Sequence, residues 1–187
     1  EETLDLIAGQ GKELVDLSRI DFQDPEGFAM IQAGDTVGTF QIESRAQIQT
    51  LLKTKPENLE DLIVQVAIVR PGPIVGGATR PWIKAREQYR ATGQADIIYD
   101  HPSLEPALEE TYGVILYQEQ ILQVAMLLAG FTPGQADRLR RAMSRKRSTV
   151  AMKALWEDFL AGALANGVNE SVAATVFEKI KGFAAYG

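Results

Sequence analysis

The 187-residue sequence has no cysteine and a single histidine. The missing thiols exclude disulfide scaffolds, thiolate metal sites and cysteine nucleophiles, and they fit a reducing compartment. One histidine cannot build a His-rich zinc site. No run approaches the roughly 18 apolar residues that cross a bilayer, so no membrane partner is expected. No basic-then-apolar leader opens the chain. Internal repeats and low-complexity tracts are also missing. What remains is ordinary for a folded chain: 45% hydrophobic and 24% charged residues. That suffices for a core, and the length predicts a single domain over 1–187.

The formal charge of −6 argues against a uniformly basic nucleic-acid coat. It conceals a segregation. Residues 138–153 hold seven of the 19 basic residues and no acid, leaving 12 bases against all 25 acids elsewhere, a balance of −13. A local +7 on an acidic body is a focused anion site. Three readings stand for it: phosphate binding, structural ion pairs with the acidic remainder, and a plain solvated face.

Start and stop signals predict a mainly α fold. Asp24-Pro25, Ser44 with Gln47, Asn58, Thr132 to Gln135 and Asn169 read as helix N-caps or capping boxes. Pro71 disfavours helix at Arg70, and RPGPIVGG at 70–77 is a stiff loop. Residues 82–91 read as a helix closed by Thr92-Gly93, with Lys84 and Arg86 on its surface. TVGTF at 36–40 reads as a short strand. IIYDHP at 97–102 and YGVILY at 112–117 are expected to pair as a small two-stranded β element around a short helix at 104–110. Residues 118–129 are apolar nearly all round, which predicts a buried helix ended by Gly130. The chain stops directly after a good helix, as an excised fragment would.

The helix from Pro133 carries the basic run. At about 100° per residue, Leu139, Ala142 and Met143 form an apolar stripe. Arg138, Arg141 and Arg145 lie on one flank, Arg140 and Arg147 on the other. Arginine forks bind phosphate oxygens through paired hydrogen bonds. Arg70, at a helix C-terminus, is a second phosphate candidate, beside the alternative of a simple dipole effect. Other motifs fail. GQGK at 9–12 is too short for a phosphate loop and has Glu13 where Ser or Thr is required. Asp100, His101 and Ser103 are neighbours on a turn rather than a triad. Glu109 and Glu110 belong to no paired-carboxylate motif that would hold two metal ions. No catalytic residue and no metal ligand is assigned.

Five strings in order resemble one family: GDTVGTFQIESR at 34–45, VAIVRPGP at 66–73, YGVILYQEQ at 112–120, GFTPGQADRLRRAM at 130–143 and GFAAYG at 182–187. The sequence resembles the bacterial C-family replicative DNA polymerases, the DNA polymerase III alpha subunit, with 34–187 carrying the motifs and 1–33 as lead-in. The resemblance implies a helical fingers domain that binds the triphosphate of the incoming dNTP for template-directed nucleotidyl transfer. Arg140, Arg141, Arg145, Lys146 and Arg70 are the implied nucleotide contacts, supported by Arg138, Gln118 and Glu119. It further implies Mg2+ in the parent enzyme on palm aspartates outside this chain, and no activity or bound metal in the fragment alone. The implied partners are primer-template DNA, the palm and thumb, the sliding clamp and other replisome subunits. The implied location is cytoplasmic and nucleoid-associated. Ser144 stands where the family commonly has glycine, and an FNKSH-type segment would follow Gly187. FQIESRAQ leans to the error-prone branch and ILYQEQ to the main replicative one. The alternative class is a standalone nucleic-acid-binding or partner-docking helical module.

Overall fold

Local signals set the helix starts. The computed structural model describes residues 2–11, 16–70, 77–143 and 149–184; within its helices the side chains of 17, 143, 149–151 and 183–184 are also left undescribed. Asp24, Ser44 and Asn58 each accept a hydrogen bond from a first-turn amide, starting α2 (Pro25–Gln32), α3 (Arg45–Thr54) and α4 (Leu59–Ile68). A short α1 (Glu2–Gly9) precedes them. α5 (Thr79–Thr92) ends on Gly93, whose positive φ of 73° suits glycine. The short α6 (Glu105–Leu108) sits between two 3-10 turns. Then come α7 (Gln118–Ala129), α8 (Pro133–Met143), α9 (Thr149–Ala165) and α10 (Glu170–Ala184).

The main core surrounds α7. Val124, Ala125 and Leu128 are fully buried against Leu104, Leu139, Phe159, Ala163, Val176 and Ile180. Phe131, Phe159 and Phe177 form a chain of ring contacts through it, with centroids 5.9 and 5.3 Å apart. A Cβ at Gly162 would stand 2.0 Å from the Ala129 carbonyl oxygen, so α9 crosses α7 where only glycine fits. Asn166 at the end of α9 donates to the Leu128 carbonyl, 3.2 Å, and satisfies the C-terminus of α7. A second, smaller core joins α4, α5 and residues 112–117 through Ile68, Ala78, Trp82 and Leu116.

The mainly α expectation holds, and the two-stranded β element does not. Among the described residues there is no strand. Residues 97–99 and 114–116 carry no regular secondary structure, and Gly113 lies against Ile97 and Ile98. Ladder pairing is lost because a side chain takes the donors: the Leu116 and Tyr117 amides both donate to Gln120 Oε1, at 2.8 and 3.0 Å. Left-handed Tyr112 and Gly113 make the segment a turn. TVGTF is likewise a turn, closed by Thr39 N to Thr36 O at 3.0 Å. The Ser44 capping box is half formed, because the Gln47 side chain turns inward to Gln65. The one at Thr132 and Gln135 is complete.

Gly162→Ala should destabilise the chain by about 1–3 kcal/mol net, because the clash with the Ala129 carbonyl outweighs the roughly 1 kcal/mol that alanine gains in helix propensity. Urea unfolding checks it; an unchanged midpoint would contradict the close crossing.

Candidate functional site

The basic helix α8 is seated as its periodicity requires. Ala136, Leu139 and Ala142 are buried against the main core, which leaves the arginines outward. Arg138 is exposed. Arg140 and Arg141 converge on a single carboxylate of their own helix. Arg140 donates to Asp137 through Nε and Nη2, at 3.1 and 2.8 Å, and Arg141 Nε lies 2.7 Å from Asp137 Oδ2. Their side chains keep 32% and 69% of their surface. The ion-pair reading is therefore realised at both arginines, within one helix rather than across the fold. The Arg140 hydrogen bonds hold the Asp137 carboxyl below its ordinary value, with Arg141 adding to the effect. Arg145, Lys146 and the Met143 side chain lie outside the described residues.

The remaining expected contacts are spread. Arg70 is exposed beyond the end of α4, and no hydrogen bond or ion pair among the described residues joins it to α8. Gln118 and Glu119 are exposed on the first turn of α7. The residue that does the supporting is Gln120, which sequence reasoning missed. Besides accepting two amides it donates to Ala107 O at 3.1 Å and Thr111 Oγ1 at 2.8 Å, all in a buried setting. A lone amide on the buried side of an apolar helix was the available signal, because such a group needs partners.

Arg86 is a correction. Expected at the surface, it is 6% exposed. Nη1 donates to Asp61 Oδ1 at 2.7 Å, and Nη2 donates to Asp61 Oδ2. Its guanidinium lies over the Trp82 ring, 5.4 Å from the centroid. Burial pulls the Arg86 pKa down and Asp61 opposes that. Arg90, one turn on, donates to the Thr54 and Lys55 carbonyls and so caps α3. Lys84 is exposed, as expected. His101 accepts from Ser103 N as a 3-10 cap, which fits the turn reading.

Two cavities flank these elements. The larger, about 900 Å³, lies between α5, residues 96–100 and 112–115, and α10. The smaller, about 480 Å³, is an apolar groove between α9 and α10 beside Trp156 and Phe177. Neither is lined by the α8 arginines. Among the described residues no three His, Asp or Glu side chains converge as metal ligands. Asp61, Asp100 and Asp137 each face a cation instead. The described donor set does not fit magnesium. No described helix is long and apolar enough to cross a membrane.

Asp61→Asn should cost about 3 kcal/mol, because it leaves Arg86 as an uncompensated buried charge. The double change Asp61→Leu with Arg86→Met should recover most of it; chemical denaturation of the three proteins checks both. For Asp137 the pKa is depressed, so its pairing is present above the ordinary carboxylate range and lost as pH falls through the lower folded value. A carboxyl-carbon NMR titration should place its midpoint below that of an ordinary aspartate, and Arg140→Ala should raise it. An ordinary midpoint in the unaltered chain contradicts the geometry.

Comparison with known proteins adds to this geometry. The family described as bacterial DNA polymerase III alpha subunit finger domain matches residues 1–167. Error-prone DNA polymerase of Mycolicibacterium paratuberculosis is 45% identical over 185 residues, 98% of this chain and 16% of that protein. Error-prone DNA polymerase of Corynebacterium glutamicum is also 45% identical over 185 residues, with 98% and 17% covered. Error-prone DNA polymerase 1 of Agrobacterium fabrum is 43% identical over 183 residues, with 98% and 16% covered. The chain spans about a sixth of the length of these curated relatives. A buried α7, a basic α8 seated on it and a family match over most of the length lead to one conclusion: the chain belongs to the bacterial DNA polymerase III alpha subunit finger-domain family.

Proposed function

We propose that this chain is the fingers portion of a DNA-directed DNA polymerase, and that α8 binds and orients the triphosphate of the incoming deoxynucleotide. The observation that carries the reading is the sharing of Asp137 by two guanidinium groups. Residues 138–153 carry seven bases and no acid, so the single charge of Asp137 is outnumbered along the run. Solvent-exposed ion pairs of this kind are worth little, because water screens them. A polyphosphate offers more negative charge and paired oxygens that match the guanidinium fork. Exchange of Asp137 for phosphate is therefore inexpensive, and Asp137 holds the two forks extended until nucleotide arrives.

Arg138, Arg145 and Lys146 extend the same positive field along the run, and Arg70 adds to it from the end of α4. Gln118 and Glu119, exposed on the first turn of α7, are assigned a supporting role in this reading. In the whole enzyme the reaction joins a deoxynucleotide to a primer 3′ end. The arginines contribute by neutralising charge that builds on the leaving pyrophosphate, the dominant lever in phosphoryl transfer. Magnesium belongs to carboxylates of the parent enzyme outside these 187 residues, and the chain alone extends no primer. Primer-template DNA, the palm and thumb, and the sliding clamp with other replisome subunits are partners of the parent, in the bacterial cytoplasm at the nucleoid. The names of the relatives and the FQIESRAQ string support the error-prone branch.

Primer extension by the parent enzyme tests the reading. Arg140→Ala and Arg141→Ala should each lower kcat/KM for nucleotide about tenfold or more, equivalent to about 1.4 kcal/mol. Primer-template Kd should move less than about twofold. Unchanged nucleotide KM and kcat in both variants would remove α8 from the nucleotide site. A loss confined to DNA affinity would favour a backbone-binding module instead.

A further inference from the structure

The N-terminal third does not bury what a folded layer should. Among the described residues, of 28 buried apolar ones only Ile42, Leu51, Ala67 and Ile68 precede residue 70, yet nine of the 13 exposed large apolar side chains fall there. Within that third the two most exposed sit together on one turn. Val37 is 83% exposed and Phe40 is 85% exposed.

The turn is built to hold them out. The fully buried Thr36 donates its hydroxyl to the Ile42 carbonyl at 2.7 Å, which ties the two ends of the loop. Gly38 N donates to Glu43 Oε2 at 3.1 Å, and Ile42 N donates to Thr39 O at 3.3 Å. Ile42 itself is buried as the anchor. Gln41 takes a positive φ of 71°, which a side chain adopts at a cost.

We propose that the turn of residues 36–43 is a docking plug, with Val37 and Phe40 seated in an apolar recess, rimmed by basic side chains, on another part of the same polypeptide. Charge selects the occupant. Residues 16–43 carry six acids and one base, with Asp35 and Glu43 beside the turn. That repels a nucleic-acid backbone, and it repels a second copy presenting the same face. Size selects the tether. Two side chains are far below the roughly 1,000 Å² that a separate partner needs. A covalently joined partner arrives at an effective concentration near millimolar, so a small plug suffices. The curated relatives continue for about five-sixths of their length outside the matched stretch, so there is chain to supply the recess. This rests on the reading of the chain as part of a longer polymerase.

The test uses the full-length parent protein. Val37→Asp combined with Phe40→Asp should speed amide hydrogen exchange at least about tenfold in residues 34–45 and in one or more segments outside the 187 residues. Phe40→Leu should stay near the unaltered protein. Exchange unchanged in the double variant overturns the plug. In an otherwise unaltered protein, Phe40→benzoylphenylalanine should photocrosslink within the same chain to a segment beyond these residues. Crosslinks only to DNA, only to a second copy, or to nothing overturn it. Primer extension by the unaltered parent is scored separately: an inactive parent sinks the polymerase reading, whereas an active parent with unchanged exchange sinks the plug alone.

Discussion

The burial of α7 is the constraint on which the rest of this structure depends. Val124, Ala125 and Leu128 have no exposed surface, and α8, α9 and the 102–111 segment all pack on that helix. α9 reaches it only because residue 162 has no side chain, and Asn166 then donates to the Leu128 carbonyl near its end. A helix covered on so many sides has no room for an unpaired polar group. Gln120 is tolerated because all of its hydrogen-bonding capacity is used, and in using it the side chain draws residues 111–117 onto the helix. The direction in which α8 presents its arginines follows from this packing, since Ala136, Leu139 and Ala142 are held by the same core.

Arginine serves two opposite purposes here, and burial separates them. Arg86 gives up solvent and keeps its charge through Asp61 and the Trp82 ring. That arrangement is expensive to break and bolts α5 to α4, while Arg90 adds the end of α3. Arg140 and Arg141 share a carboxylate at the surface, where water screens the attraction and exchange is easy. The first pair is structural because it is dry. The second is weakly held because it is wet.

Much of the helical pattern was legible in the chain itself. The caps at Asp24, Ser44, Asn58, Thr132 and Asn169 work over three residues, and a three-residue signal can be read without a tertiary structure. The β element was misread for the same local reason. Ile97 to Tyr99 and Val114 to Leu116 have strand-like side chains, but their fate was decided by Gln120, whose side chain captured the amides that a ladder would have used. Arg86 was misread because its partner lies 25 residues away on another helix.

The sequence alone determined the capped helix starts, the apolar seat of α8 and the segregation of charge, because caps and helix faces are set by neighbours one or two turns away and charge by composition. The tertiary structure decided which polar groups are buried and which carboxylate each arginine meets. It also decided that Phe40 faces water while Ile42, two residues on, does not. Desolvation and ion pairing depend on what else occupies the same space, and that is settled only when distant segments pack.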